Sequence, residues 1–174
     1  MSYQLIVIDG PSCVGKTQLA KELQKQLANE VWLNFSIDTI VYTLPQLILE
    51  GCNDENKWDT FDRNALLSGT FSCVKSLVDC GNKVIFDIVV STDRRANELL
   101  GYLNEFRVFY VGLTAEWECL EQRVSEREDR TLAEVKHGYD TTPKHLPYDI
   151  LVDTTQCESV SVAKEVIKAM TLKV

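Results

Sequence analysis

The chain has 174 residues, which suits one domain spanning residues 1–174 on one hydrophobic core. Hydrophobic residues make up 45% and charged residues 25%, the balance of a soluble globular protein. The formal net charge of −8 argues against an extended nucleic-acid surface or an anionic-membrane surface, both of which need excess lysine and arginine, and no run reaches the roughly 18 apolar residues of a bilayer span. The N-terminal residues lead straight into an apolar run without the basic and apolar regions of a signal peptide. Cysteines 13, 52, 73, 80, 119 and 157 form no C-x-x-C pair, and His137 and His145 lack metal-ligand spacing with them. The expectation is reduced, mostly buried thiols in a cytoplasmic protein.

In chain order, Leu5 to Ile8 is a short continuous apolar run, as in strands buried on both faces. A Gly-rich turn follows, and Leu19, Leu23 and Leu27 then recur at helical spacing. Val31 to Ile37 is a less uniformly apolar strand candidate. Glu50 to Asp62 is polar and turn-rich and reads as a surface loop, a candidate substrate flap. Leu66, Leu67, Phe71, Val74, Leu77 and Val78 mark a longer helix, and Val84 to Phe86 a strand. Ala96, Leu99, Leu100 and Leu103 mark a helix, Val108 to Val111 a strand, and Trp117, Leu120 and Val124 another helix. The arginine-dense stretch Ser125 to Thr131 follows, then the strand Ile150 to Val152 and a closing helix through Ala163, Val166, Ile167 and Met170. The alternation predicts one α/β domain with right-handed crossovers.

The turn after the first strand carries the chemistry. Gly10, Pro11, Ser12, Cys13, Val14, Gly15, Lys16 and Thr17 match the full Walker A pattern. Its glycines let backbone N–H groups point at phosphate oxygens, Lys16 sets a positive charge beside the β- and γ-phosphates, and Thr17 offers a hydroxyl to Mg²⁺. The following helix aims its positive end at the same anion. An unrelated chain of this length would match roughly once in two hundred, and the strand-before, helix-after context cuts that further. The motif therefore predicts ATP and Mg²⁺ as cofactors. Asp87, ending an apolar strand, has the form of the second Mg²⁺ carboxylate, against the plainer reading of a polar strand end.

The chain carries no D-x-x-G switch, which argues against a GTPase, and it is too short for the accessory domains of most motor ATPases. Small phosphotransferases remain. A hydroxyl acceptor benefits from a carboxylate that takes its proton, and Asp38, at the junction of a strand and a helix, is a candidate for that base or for a helix cap. Arg123, Arg127 and Arg130 are spaced by four and three, which on a helix puts them on one face able to close over a phosphate; interleaved acids equally fit a solvated, ion-paired surface.

These residues resemble the chloramphenicol phosphotransferases, small P-loop kinases that phosphorylate a hydroxyl of that antibiotic with ATP. The resemblance runs through the P-loop, Trp32 to Asp38, the strand ending at Asp87, Tyr110 to Leu113, Glu128 to Arg130, and Tyr148 to Thr155, and leaves out roughly residues 46 to 80. It implies a five-stranded parallel sheet with helices on both faces and a helical lid. It further implies that Asp38 is the catalytic base, that Arg127 and Arg130 lie in the lid that meets the phosphates, and that Asp153, Thr154 and Thr155 end the last strand near where related kinases hold the adenine; Arg123 and Thr154 are expected among the nucleotide-binding residues. The family often carries two acids at the end of the third strand; here Ile88 follows Asp87. The expected partners are ATP and a small-molecule acceptor, chloramphenicol or a similar compound. A nucleoside or sugar-acid kinase and a nucleotide-sensing module without turnover are the alternatives. The sequence carries no signal of oligomeric state.

Overall fold

The apolar runs become strands because each is covered on both faces. All five residues of β1 (Leu5–Asp9) are buried, and so are the last five of β3 (Lys83–Ile88). With β2 (Trp32–Ser36), β4 (Val108–Thr114) and β5 (Ile150–Asp153) they form a five-stranded sheet in the order β2-β3-β1-β4-β5, parallel at every pairing. The computed structural model describes residues 3–55, 59–127 and 130–173, without the side chains of 53–55.

Helices α1 (Lys16–Gln26), α6 (Trp117–Ser125), α7 (Leu132–Thr141) and α8 (Ser159–Leu172) contribute to the core on one face. There Leu19, Leu23, Leu120, Val135, Val162 and Val166 pack on Ile6, Ile8, Val111 and Leu113. On the other face, α4 (Arg63–Asp79) and α5 (Asp93–Leu103) bring Phe71, Val74, Ala96 and Leu99 against Leu5, Val7, Phe86 and Ile88. The side-chain alternation along β1 is thus divided between two cores, and truncating a leucine such as Leu23 or Leu99 to alanine costs about 2–5 kcal/mol. Among the described residues no helix is long and apolar enough to cross a membrane.

Several expectations need correction. The polar stretch from Glu50 is helical as far as Glu55, since α3 (Gln46–Glu55) runs into it and buries Cys52. Only 59–62 of that stretch is a described turn, and 56–58 lie outside the described residues. None of the six thiols is in a disulfide, but only Cys52 is buried; Cys73 within α4, Cys80 as its C-cap, and Cys157, before α8, are exposed. The three arginines do not share a helix face, because α6 ends at Ser125 with Glu126 as its cap, leaving Arg127 and Arg130 in the connection to α7. Helix α7 was not expected: only Val135 and Gly138 are buried along it, too few for a periodic stripe.

Candidate active site

Open parallel sheets place their sites beyond the carboxyl ends of the strands. Here β1 hands the chain to Gly10, β2 to α2 (Ile37–Val41), β3 ends just past Asp87, and β5 leads to Thr154. A cleft of roughly 720 Å³ opens over these ends. It is lined by Ser12 to Thr17, Asp38, Asp87, Arg123, Arg127, Arg130 and Thr154, so the sequence candidates gather in one place.

The P-loop takes its shape from two glycines. Gly10 has φ +156°, and a Cβ there would lie 2.6 Å from the Leu113 carbonyl oxygen, so β4 leaves no room for a side chain. Gly15 caps α1 in the left-handed region at φ 103°. It offers no side-chain cap, which leaves the first amides of the helix facing the cleft without that partner. Lys16 Nζ donates to the carbonyls of Gly10 and Pro11, both at 2.9 Å. Burial pushes the Lys16 ammonium below its ordinary pKa, and the carboxylates of Asp87, Asp9 and Asp38 oppose that shift.

Asp87 and Thr17 meet: the Thr17 hydroxyl donates to Asp87 Oδ2 at 3.2 Å. The other carboxylate oxygen, Oδ1, accepts from Ser36 Oγ at 2.9 Å, since the register sets Ser36 beside Asp87. One hydroxyl and one carboxylate suit Mg²⁺, which is usually held by one or two protein carboxylates with phosphate and water completing its shell. Among the described residues no group of three His, Cys, Asp or Glu side chains gathers to hold a metal by itself.

Asp38 does not cap α2. Ser36 does, accepting from the Asp38 amide at 3.2 Å while Thr39 Oγ1 accepts from the Ser36 amide at 3.3 Å. The Asp38 carboxylate is thereby spared for the cleft, where Arg130 donates to it at 2.8 Å. Arg127 lines the cleft from the same connection, and Glu128 and Asp129 lie outside the described residues. Arg123 projects from α6 to the back of the P-loop, donating to the Cys13 carbonyl at 3.3 Å and to Thr154 Oγ1 and O at 3.3 and 2.7 Å. The Thr154 hydroxyl donates in turn toward the Val14 carbonyl at 2.8 Å. Arg123 and Thr154 thus brace the phosphate loop from behind.

Sequence reasoning passed over two residues here. Asp9, wholly buried at the root of the P-loop, accepts from the Tyr148 hydroxyl at 2.6 Å and from the Val90 amide at 2.8 Å. Burial raises its pKa, against the pull of those two hydrogen bonds and of Lys16, and the Tyr148 phenol is raised by burial and by Asp9 itself. The pair ties the end of β1 to the chain beyond β3 and to the segment before β5. An acid closing an apolar strand directly before a Walker glycine was the available signal. The other is Ser36, whose place two residues before Asp38 marks a helix cap. The residues from Asn56 to Asp59 spell the N-K-x-D pattern of guanine-reading segments. In the chain they fall between α3 and α4, and the first three lie outside the described residues.

The fold is that of P-loop kinases. A gluconokinase from Sinorhizobium meliloti superposes with a TM-score of 0.73 at 13% identity, covering 99% of this chain and 95% of that one. The APS kinase of Mycobacterium tuberculosis, solved with AMPPNP and APS, gives 0.69 at 17% identity over 98% of both chains. Shikimate kinase from Acinetobacter baumannii, solved with shikimate, gives 0.66 at 15% identity over 98% and 94%. At these identities the likeness is one of fold. No curated protein sequence gives a match. The family described as chloramphenicol phosphotransferase-like protein matches residues 3–171. With nearly its whole length matched, the chain belongs to the chloramphenicol phosphotransferase-like family.

Proposed function

We propose that the protein is an ATP-dependent kinase that phosphorylates a hydroxyl of a small molecule, chloramphenicol or a compound like it. The observation that carries this reading is the shared cleft. It is lined by Ser12 to Thr17 of the Walker A loop, a Thr17–Asp87 pair suited to Mg²⁺, and a carboxylate, Asp38, held by an arginine rather than spent on capping.

In this reading the γ-phosphate of ATP lies between the P-loop and Arg130. Thr17 and Asp87 would hold Mg²⁺, which would supply neutralisation of phosphate charge. Asp38 accepts the proton of the acceptor hydroxyl, the acceptor oxygen bonds to the γ-phosphorus, and the bond from that phosphorus to the β,γ-bridging oxygen breaks to leave ADP. Lys16 and the lid arginines stabilise charge on the moving group. The Arg130–Asp38 contact gives the resting protein a means of holding the base until phosphate competes for the guanidinium. Arg127 and Arg130 over the phosphates keep water from taking the phosphoryl group.

Replacing Asp38 by Asn tests the assignment. The Asp38–Arg130 pair is partly exposed, at 43% and 21%, so its loss costs stability only about 0–1 kcal/mol. Phosphoryl transfer should fall by about 10²–10⁴-fold with ATP affinity nearly intact. Transfer at the wild-type rate in that variant, assayed over chloramphenicol, nucleosides and sugar acids, contradicts the base assignment.

A further inference from the structure

We propose that Ser36 is a positioning residue: its hydroxyl ties the metal-side carboxylate Asp87 to the helix that carries Asp38, so one side chain sets the two halves of the site relative to each other. The inference rests on the phosphoryl-transfer reading above and deepens it.

The hydroxyl has one proton and two lone pairs. The proton goes to Asp87 Oδ1 at 2.9 Å, and a lone pair takes the Asp38 amide at 3.2 Å. The β2–β3 register makes the first contact possible by setting Ser36 beside Asp87. An aspartate carboxylate turns easily about its last bond, whose torsion is broad and roughly two-fold. With Oδ1 pinned by Ser36, Oδ2 is left facing Thr17 Oγ1 at 3.2 Å. Strand β2 passes directly into α2 at this residue, so the same hydroxyl that orients Asp87 fixes the first turn from which Asp38 projects. Ser36 need touch no reacting atom to govern both. Outer partners of metal-binding groups act in this way, and losing them costs about 10–100-fold in metal affinity or activity.

Three variants separate positioning from simple helix capping. Ser36→Ala removes both the cap and the donor. Ser36→Gly keeps most of the capping preference but has no hydroxyl, and Ser36→Thr keeps both functions. ATP binding is measured by calorimetry with Mg²⁺ and with a chelator, alongside a Mg²⁺ titration of slow ATP hydrolysis; thermal unfolding checks that each variant is folded. The expected result is wild-type affinity for metal-free ATP in all variants. Ser36→Ala and Ser36→Gly should each lose about tenfold or more of the gain that Mg²⁺ gives, and Ser36→Thr should restore it. A Mg²⁺ gain in Ser36→Gly equal to that of wild type overturns the proposal, because a mere cap predicts that outcome. If wild type itself shows no Mg²⁺ gain, the metal-side reading of Thr17 and Asp87 falls and Ser36 falls with it; if wild type shows the gain and the variants keep it, Ser36 falls alone.

Discussion

Replacing Tyr148 by Phe removes one hydroxyl at the root of the phosphate loop, and its consequence can be worked from the contacts. That hydroxyl lies 2.6 Å from Oδ2 of a wholly buried Asp9, leaving the backbone amides of Val90 and Gly10 as donors to the carboxylate. A hydrogen bond to a charged group contributes about 1.5–3 kcal/mol, so the variant should lose about that much where Asp9 is ionised. For a chain of this size the loss lowers Tm by about 3–12 °C. The pH dependence has a defined sign. Asp9 has a raised pKa in the folded protein, so the folded state keeps its proton longer than the unfolded chain as pH rises from the ordinary value of 3.8. Stability is therefore lost across the window up to the folded pKa. Removing a donor that favours the carboxylate raises the folded pKa further, which widens the window and adds to the loss. Urea unfolding at about pH 5.5 and about pH 8.5 should show a deficit at both, no smaller at the higher pH. A variant as stable as wild type at the higher pH, or a deficit that grows toward acid, refutes the reasoning.

Replacing Lys16 by Ala removes the ammonium held over the Gly10 and Pro11 carbonyls; ATP affinity by calorimetry should fall at least about tenfold, and unchanged affinity contradicts the phosphate cradle. Replacing Arg123 by Ala deletes three hydrogen bonds behind the P-loop. Chemical denaturation should show a loss of about 1–3 kcal/mol together with several-fold weaker ATP binding. Arg123→Lys should recover only part of it, since an ammonium lacks the planar fork that reaches two partners.

The sheet was legible because its strands are buried on both faces, which writes short apolar runs such as Leu5 to Ile8 directly into the sequence. The P-loop was legible because phosphate binding demands glycines, lysine and a hydroxyl at fixed spacing. Helix α7 was not, because little of it is buried, and α3 was obscured by Gly51 and Asn53, residues more common in turns. The arginine spacing misled because nothing local marked the end of α6 at Ser125. The contacts that give the site its form join distant parts of the chain. Ser36 meets Asp87 across 51 residues, Arg130 meets Asp38 across 92, and Tyr148 meets Asp9 across 139. Each depends on strand order and register, which no local pattern encodes. The candidates gather because the ends of the parallel strands converge.

The central claim is phosphoryl transfer from ATP to a small-molecule hydroxyl, and mass spectrometry of the acceptor tests it most directly. The wild-type protein is incubated with ATP–Mg²⁺ and chloramphenicol, then with nucleosides and sugar acids in turn. The account predicts an acceptor carrying one added phosphoryl group on a hydroxyl, with ADP formed in equal amount. ATP bound by the protein but no phosphorylated product from any hydroxyl acceptor would contradict it and leave a nucleotide-binding module in its place.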